Sequence, residues 1–566
     1  MTAPNPPTPA AESPRQFAGW LAALFLTILG AKLWLVQLYG SPLPLWDQWY
    51  EAGSFFKPWM SGQLKLSDFF ASDNGHRIFV TRLMDFIVIG LNGRWEPMQQ
   101  MVVNAVIHTV YVCGLAAALW HFLGRRNGWF ICALVAPFFV LPYAGENAVW
   151  AITIEYNLDL FMLLAVVALG FGRPGSALWY FGLLAAVIGL FTMATGLLAP
   201  MAIGGLAVLR MFKQRSFGKW NLIALIVCVA TVGFGASMRG AAVGGDQLQA
   251  QTGGQFAMAL FRNLTWLFYD QPIPALLVLL PLVLLAILYF RRDFPEPRAA
   301  EFVLVLGLWG LLQAAALAYG RGNYGDAFPV SRYLDILNVY VIAALFAVVL
   351  LVRARLGGVP FKKMELLVPL LAAAVITFGL ARISKIVVAQ LLVPTRMMNL
   401  VAEERVQHFM ATGQEQVLFD QPTVRPDPRV TEGILRDPDL RAILPAVCQP
   451  PVTANVTGRF SWLSDALLRS SVYILYAGLG LFAALLAWRL IRSPLGLALE
   501  NLPAGLVLLA LLGALGYVWT QSPIRRETVE HELQVQLAQY FTAQNKPDRA
   551  AIHAQKAKAL EARAIP

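Results

Sequence analysis

Residues Ile78-Phe79-Val80-Thr81-Arg82-Leu83-Met84-Asp85-Phe86-Ile87-Val88-Ile89-Gly90-Leu91 form an apolar run, and the topology of the whole chain turns on where it lies. A helix needs about 20 residues to cross the roughly 30 Å hydrocarbon layer. This run is shorter, and it carries Arg82 and Asp85. Placed across the bilayer, it would put Arg125-Arg126 on the outer side. Placed in the interface as an amphipathic helix, it keeps every basic cluster on one side. Those clusters are Arg125-Arg126, then Arg210, Lys213, Arg215 and Lys219, then Arg291-Arg292, then Arg353, Arg355, Lys362 and Lys363, and finally Arg489 and Arg492. Basic residues gather on cytoplasmic loops, so these ends are expected to be cytoplasmic. We therefore place Ile78 to Leu91 in the interface.

Outward from that run, the chain is built of apolar blocks. Of its 566 residues, 58% are hydrophobic and 14% charged, and mean hydropathy is +0.59. A soluble domain carries about a quarter charged residues. Blocks long enough to cross as helices begin near Phe17 and recur at roughly 17–38, 97–122, 128–144, 156–172, 177–192, 195–210, 221–238, 272–290, 301–320, 331–353, 364–381, 471–491 and 501–519. The expectation is an all-α polytopic membrane protein of about thirteen spans. The blocks are continuously apolar, which argues against a barrel's alternation. The net charge of +11 is explained by the basic loops, so nucleic acid is not an expected partner.

Residues 1–16 read as a disordered cytoplasmic tail. Residues 17–392 read as the transmembrane core, with an external loop at 39–97. Residues 393–470 are polar and Pro-rich, as expected of a small external domain near the C-terminus. Residues 471–520 hold the last two spans. Residues 521–566 read as an external helical tail, folded back across Asn545-Lys546-Pro547. The expected location is the inner membrane of a bacterium, multi-pass, with the N-terminus cytoplasmic. The four cysteines suggest no disulfide framework.

Several site patterns are missing. No phosphate-binding loop of the Gly-x-x-x-x-Gly-Lys type occurs, and no Gly-x-Ser-x-Gly elbow. The six histidines are scattered, without zinc spacing.

The candidate chemistry lies on the external loops. Pro44-Leu45-Trp46-Asp47-Gln48-Trp49-Tyr50-Glu51 puts two acids amid aromatics just past the first span. Asp47 and Glu51 can share one face of a short helix. A partly desolvated carboxylate is a better base. The same composition also suits an interfacial aromatic belt with solvated acids. Asp73-Asn74-Gly75-His76-Arg77 predicts a tight polar turn, with His76 and Arg77 as phosphate donors. Glu146, Glu155 and Tyr156 flank Trp150 at the membrane edge, where ionisable groups usually face a cavity. The flexible loop from Gly320 to Asp326 carries Arg321 and leads to Arg332 and Tyr333, so the two arginines are candidates to clamp an anion. Arg332 alternatively snorkels to headgroups.

This arrangement resembles the membrane-embedded glycosyltransferases of the GT-C superfamily, in particular the branches that transfer aminoarabinose and mannose. The resemblance rests on Asp47 just after the first span, on the interfacial helix Ile78 to Leu91, and on many spans with an external domain near the C-terminus. It implies a sugar donor linked to polyprenyl phosphate and an acid, Asp47, in the first external loop. Glu51 is the candidate second carboxylate. The implied acceptor is a lipid, glycan or protein of the cell envelope, and the implied reaction is an inverting displacement. A divalent cation is left open: hard oxygen ligands suit magnesium or manganese, and Asp47, Asp73 and Glu51 are candidates to hold one.

Two other classes remain. A transporter or flippase of lipid-linked saccharides needs polar groups along a path through the spans. Few charges fall inside the spans. Lys32 and Asp159 are exceptions, and both are expected near helix ends, which favours a surface site. A non-catalytic envelope assembly subunit would use the external domain and tail for docking.

Overall fold

The computed structural model describes residues 12–73, 75–125, 127–238, 245–268, 271–291, 294–323, 329–356, 362–420, 427–450, 457–492 and 526–564. The chain is a mostly helical, multi-pass membrane protein. Among the described residues, 10 helices are long and apolar enough to cross a bilayer. Two further expected spans, Glu155–Phe171 with 17 residues and Ala177–Gly189 with 13, are shorter and pack together as a hairpin. Their turn, Arg173-Pro174-Gly175, leads into Ser176, whose hydroxyl accepts from the Trp179 amide and caps the second helix. The expected span at 501–519 lies outside the described residues, as do residues 1–11 of the expected tail.

The first helix, Pro14–Tyr39, begins with a capping box. The Ser13 hydroxyl accepts from Gln16, and the Gln16 side chain accepts from the Ser13 amide. It packs along Ser471–Arg492. Gly30 and Gly478 make that packing possible: a Cβ on Gly30 would meet the Leu475 backbone, and one on Gly478 would meet Thr27. Small residues let membrane helices approach where no hydrophobic drive exists.

The basic loops meet at one end of the bundle. The Glu12 amide donates to the Arg125 carbonyl at 2.9 Å, and Glu12 also lies 3.9 Å from Arg489. Arg353 donates to the Leu123 carbonyl and pairs with Glu296. Arg210 pairs with Glu301 at 2.9 Å.

Ile78 to Leu91 is no span. Its helix, Phe79–Asn92, has 14 residues and is thus about 21 Å long. Both ends touch the bundle end opposite the basic loops. Phe79 meets Phe191, just past Ala177–Gly189. The amide of Phe460, ahead of Ser471–Arg492, donates to Asn92. The helix lies crosswise, and its amphipathicity is inverted. Thr81, Arg82, Asp85 and Asn92 are buried against protein, while Leu83, Ile87 and Leu91 are exposed. An apolar outer stripe on a crosswise helix suits lipid.

The described residues of 393–470 share their core with another segment. Trp49, Phe55, Phe56 and Trp95 of the first external loop share one apolar cluster with Phe409, Ile434, Leu440 and Leu444. The Trp95 amide donates to the Ile443 carbonyl, and Lys57 pairs with Asp437. The last span before this segment was expected to end at 381. Instead, one 49-residue helix, Met364–Thr412, runs on out of the bundle. It runs through Pro369 and a π-helical turn at Val388–Leu392, and Gly413 caps it in the left-handed conformation. The tail helices Arg526–Ala543 and Pro547–Ala564 form the expected hairpin and set Leu537 and Phe541 on Val401.

Candidate functional site

The end of the bundle opposite the basic loops gathers residues from four separate parts of the sequence. Asp47 opens the short helix Asp47–Glu51. The residue before it, Trp46, has φ 49 and ψ −114. Such a backbone costs about 1–3 kcal/mol in a non-glycine residue and persists only where its surroundings impose it. Here it turns the half-exposed Trp46 indole edge-on to Trp150, with ring centres 6.3 Å apart. The Arg332 guanidinium lies over the other aromatic of this pair, 5.3 Å from the Trp150 ring. Burial raises the Asp47 pKa, Arg332 pulls it back and Glu51 pushes it up. Among the described residues, the Asp47 carboxylate is held by no hydrogen bond.

Glu51 has a different fate. Arg82 grips both its oxygens, at 2.9 and 2.6 Å, and donates to the carbonyls of Asp68 and Ala71 as well. Both partners are buried. Glu51, expected as a second catalytic acid, is thus a brace that fixes the loop. Behind it, the Gln100 amide donates to Asp85, and Gln100 accepts from Trp95 at 2.9 Å and from Gln48 at 3.4 Å. Burial, only partly offset by Gln100, lifts the Asp85 pKa to about 8, so this acid holds its proton at neutral pH. Gln48 accepts from the Leu45 amide and so ties this network to the turn before Asp47.

The polar turn is a two-stranded ribbon, Ser72–Asp73 against His76–Arg77, with Asp73 opposite His76. Gly75 sits at φ 80, where only glycine is unstrained. Asn74 lies outside the described residues. Burial lifts the Asp73 pKa to about 7, with Glu51 and then Asp47 adding to the effect. His76 is pushed down to about 4 by burial, then by Arg321 and Arg332. A histidine so lowered is a neutral ring near pH 7, so any phosphate contact it makes is through a neutral N–H. Its Nδ1 accepts from the Ala194 amide at 3.2 Å, which leaves Nε2 to donate. Arg77 is also spent otherwise: its Nε donates to the Met238 carbonyl and its Nη1 to that of Phe70. It anchors the ribbon to the bundle.

Arg332 and Arg321 do converge on the site. Glu146 pairs with Arg332 at 3.3 Å and accepts from Ser331. Arg321 donates from Nε to the Tyr333 hydroxyl at 3.2 Å, and the Arg332 guanidinium lies 5.2 Å from the Tyr333 ring. Tyr324 to Asp326 lie outside the described residues. Glu155 is buried beneath, in the electrostatic field of Arg332.

No family model, no curated protein and no solved structure matches this chain. Its site therefore stands on geometry alone.

That geometry does not support a cation held by Asp47, Glu51 and Asp73. Arg82 occupies both Glu51 oxygens, and among the described residues no three His, Cys, Asp or Glu are grouped to hold a metal.

Tyr156, expected at the site, lies deeper. It stacks on His108, with ring centres 4.0 Å apart and planes 9° from parallel. With it is a buried polar group that joins Lys32 and Asp159 to two further residues. Lys32, His108, Asp159 and Asp335 come from four helices and are all buried. Lys32 and Asp159 are therefore interior groups, although Asp159 lies one turn from the start of its helix. Each helix contributes one ionisable residue to this cluster, so no local motif announces it. Arg82 and Asp85, three apart in an apolar helix, do mark one polar stripe, though not the partner that Arg82 takes.

Proposed function

We propose that this chain is a membrane glycosyltransferase that moves a sugar from a polyprenyl-phosphate donor to a cell-envelope acceptor. The carrying observation is an unbraced acid, Asp47, lying in the field of Arg332 beside two tryptophans at the rim of the bundle. A sugar has an apolar face that suits an indole, a hydroxyl acceptor needs a base, and a departing phosphate needs a fixed cation. In the proposed step, the acceptor oxygen attacks the anomeric carbon from the side opposite the phosphate. The bond from that carbon to the phosphate oxygen breaks, and the carbon inverts. Asp47 takes the acceptor proton, and Arg332, with Arg321 behind it, receives the polyprenyl phosphate. The inverted helix Phe79–Asn92, with its outward Leu83, Ile87 and Leu91, would set this chemistry at the depth of a lipid headgroup. In this reading the site faces the periplasm of a bacterial inner membrane and the N-terminus is cytoplasmic.

A second reading has its own support. The buried group around Lys32, His108, Asp159 and Asp335 gives a transporter of lipid-linked saccharides the interior polar residues that the sequence seemed to lack. Proteoliposomes supplied with a panel of radiolabelled polyprenyl-phosphate sugars separate the two. Transfer of label to envelope lipid or glycan, abolished in Asp47→Ala, supports the transferase. Movement of label across the bilayer without transfer would reverse the ranking.

A further inference from the structure

We infer that Asp159 is a proton-binding site inside the membrane layer, assembled with Lys32, His108 and Asp335. This inference does not depend on the transferase reading. Asp159 is wholly buried, one turn into Glu155–Phe171, and neither of its oxygens has a hydrogen-bond partner. Both ring nitrogens of His108, and the hydroxyls of Tyr111 and Tyr156, are likewise buried without partners.

A buried carboxylate without a donor is strongly unfavourable, and a bound proton removes the difficulty. The neighbouring acid is satisfied differently. Asp335 accepts from Tyr143 at 3.3 Å and from Asn147 at 3.1 Å, and it lies in the field of Lys32. The ammonium of Lys32 lies 5.6 Å from the Tyr156 ring. One acid thus has donors and a counter-charge, while the other has neither. That asymmetry makes Asp159 the group that takes up and releases the proton.

The groups facing it come from every side. The helix Pro97–Phe122 brings Tyr111, and Leu334–Leu356 brings Asp335, while Lys32 of the first helix faces Asp335 and His108 stacks on Tyr156. Tyr143 faces Asp335, and Glu155 and Tyr156 share the helix of Asp159. The helices Ala177–Gly189 and Leu198–Gln214 pack on its other side. Their ionisable groups stay away: Tyr180 is exposed, while Arg210 and Lys213 bond Gly170, Glu301 and Tyr289 at the basic end. Glu155, one turn above Asp159 and within the field of Arg332, connects the buried group to the external site.

Infrared spectroscopy of the full-length protein in nanodiscs tests this. A protonated carboxyl in an apolar setting gives a carbonyl band separate from carboxylate and amide bands. The expected result is a band that fades as pH rises and is lost in Asp159→Asn. In Asp159→Glu it should persist at a shifted frequency. Asp159→Glu also serves if Asp159→Asn does not fold. Three results overturn the inference: no such band at any pH, a band that does not change with pH, or a band unmoved by either substitution. The first is what a permanently ionised, hydrated carboxylate would give.

Discussion

Asp47 and Glu51 sit one turn apart on one short helix, yet they belong to two different regions of the molecule. Around Glu51 the region is closed: Arg82 holds both oxygens, the pair is buried, and Phe55 lies beneath the guanidinium at 5.6 Å. Around Asp47 the region is open: the acid is half-buried, lies in the field of Arg332, and stands beside the exposed Trp46. Two acids with the same spacing and the same local sequence are sorted by residues far along the chain. The closed region fixes the loop so that the open one can meet a substrate in a set geometry.

The largest test of that contrast is on the closed side. Arg82→Ala leaves the Glu51 carboxylate buried and unpaired, which costs about 3–5 kcal/mol. Thermal unfolding in detergent should show a large fall in Tm. Adding Glu51→Gln should restore part of it, because the orphaned charge is gone. An Arg82→Ala protein as stable as the wild type would mean the closed region is not closed.

On the open side the expectation reverses. Asp47→Asn should leave stability within about 0.5 kcal/mol of wild type. It should slow sugar transfer by roughly 10²–10⁴-fold, the usual worth of a positioned general base. Transfer at the wild-type rate would remove Asp47 from the chemistry. Arg332→Lys comes next. It keeps the charge but loses the planar fork over Trp150 and toward Glu146. KM for the lipid-phosphate donor should rise about tenfold, or about 1.4 kcal/mol. An unchanged KM would leave Arg332 as a brace for Glu146 and no more.

The legible parts of this molecule are those written in one stretch of chain. Apolar block length marks the membrane helices, and the basic clusters mark one end of the bundle. The short run with Arg82 and Asp85 announces a crosswise helix, although its buried polar face and exposed apolar face invert the usual pattern. Asp47 and Arg332 are legible as an acid and a cation at the rim. What was not legible depends on contacts between distant segments. Nothing near Glu51 in sequence says that Arg82 will close on it, and nothing near Arg77 says that the Met238 carbonyl will claim it. Residues 393–470 read as a separate domain because their apolar residues are sparse, and they find their core partners in the first external loop. Lys32, His108, Asp159 and Asp335 are each one polar residue in a long apolar helix.

The smallest effect tests the electrostatics that join the two regions. Asp73 and His76 face each other across the ribbon and carry opposite pH signatures. The Asp73 pKa is raised to about 7, mainly by burial and then by Glu51 and Asp47. Its unfolded value is about 3.9. The folded state therefore holds this proton more tightly, and that share of stability is lost as pH rises from about 4 through about 7. His76 is lowered to about 4 by burial and by the two arginines, against about 6.5 unfolded. Its share is present above about 6.5 and is lost as pH falls toward about 4. Over most of that window these two slopes oppose each other, while Asp85, raised to about 8, adds a falling slope common to wild type and variant. Asp73→Asn removes one slope: its Tm relative to wild type should rise with pH from about 4 to about 7 and then level off. If the Asp73→Asn and wild-type curves run parallel, Asp73 ionises as a solvated acid. The Glu51 carboxylate, neutralised by its own arginine, then exerts no field across the ribbon, and the closed and open regions are electrostatically independent.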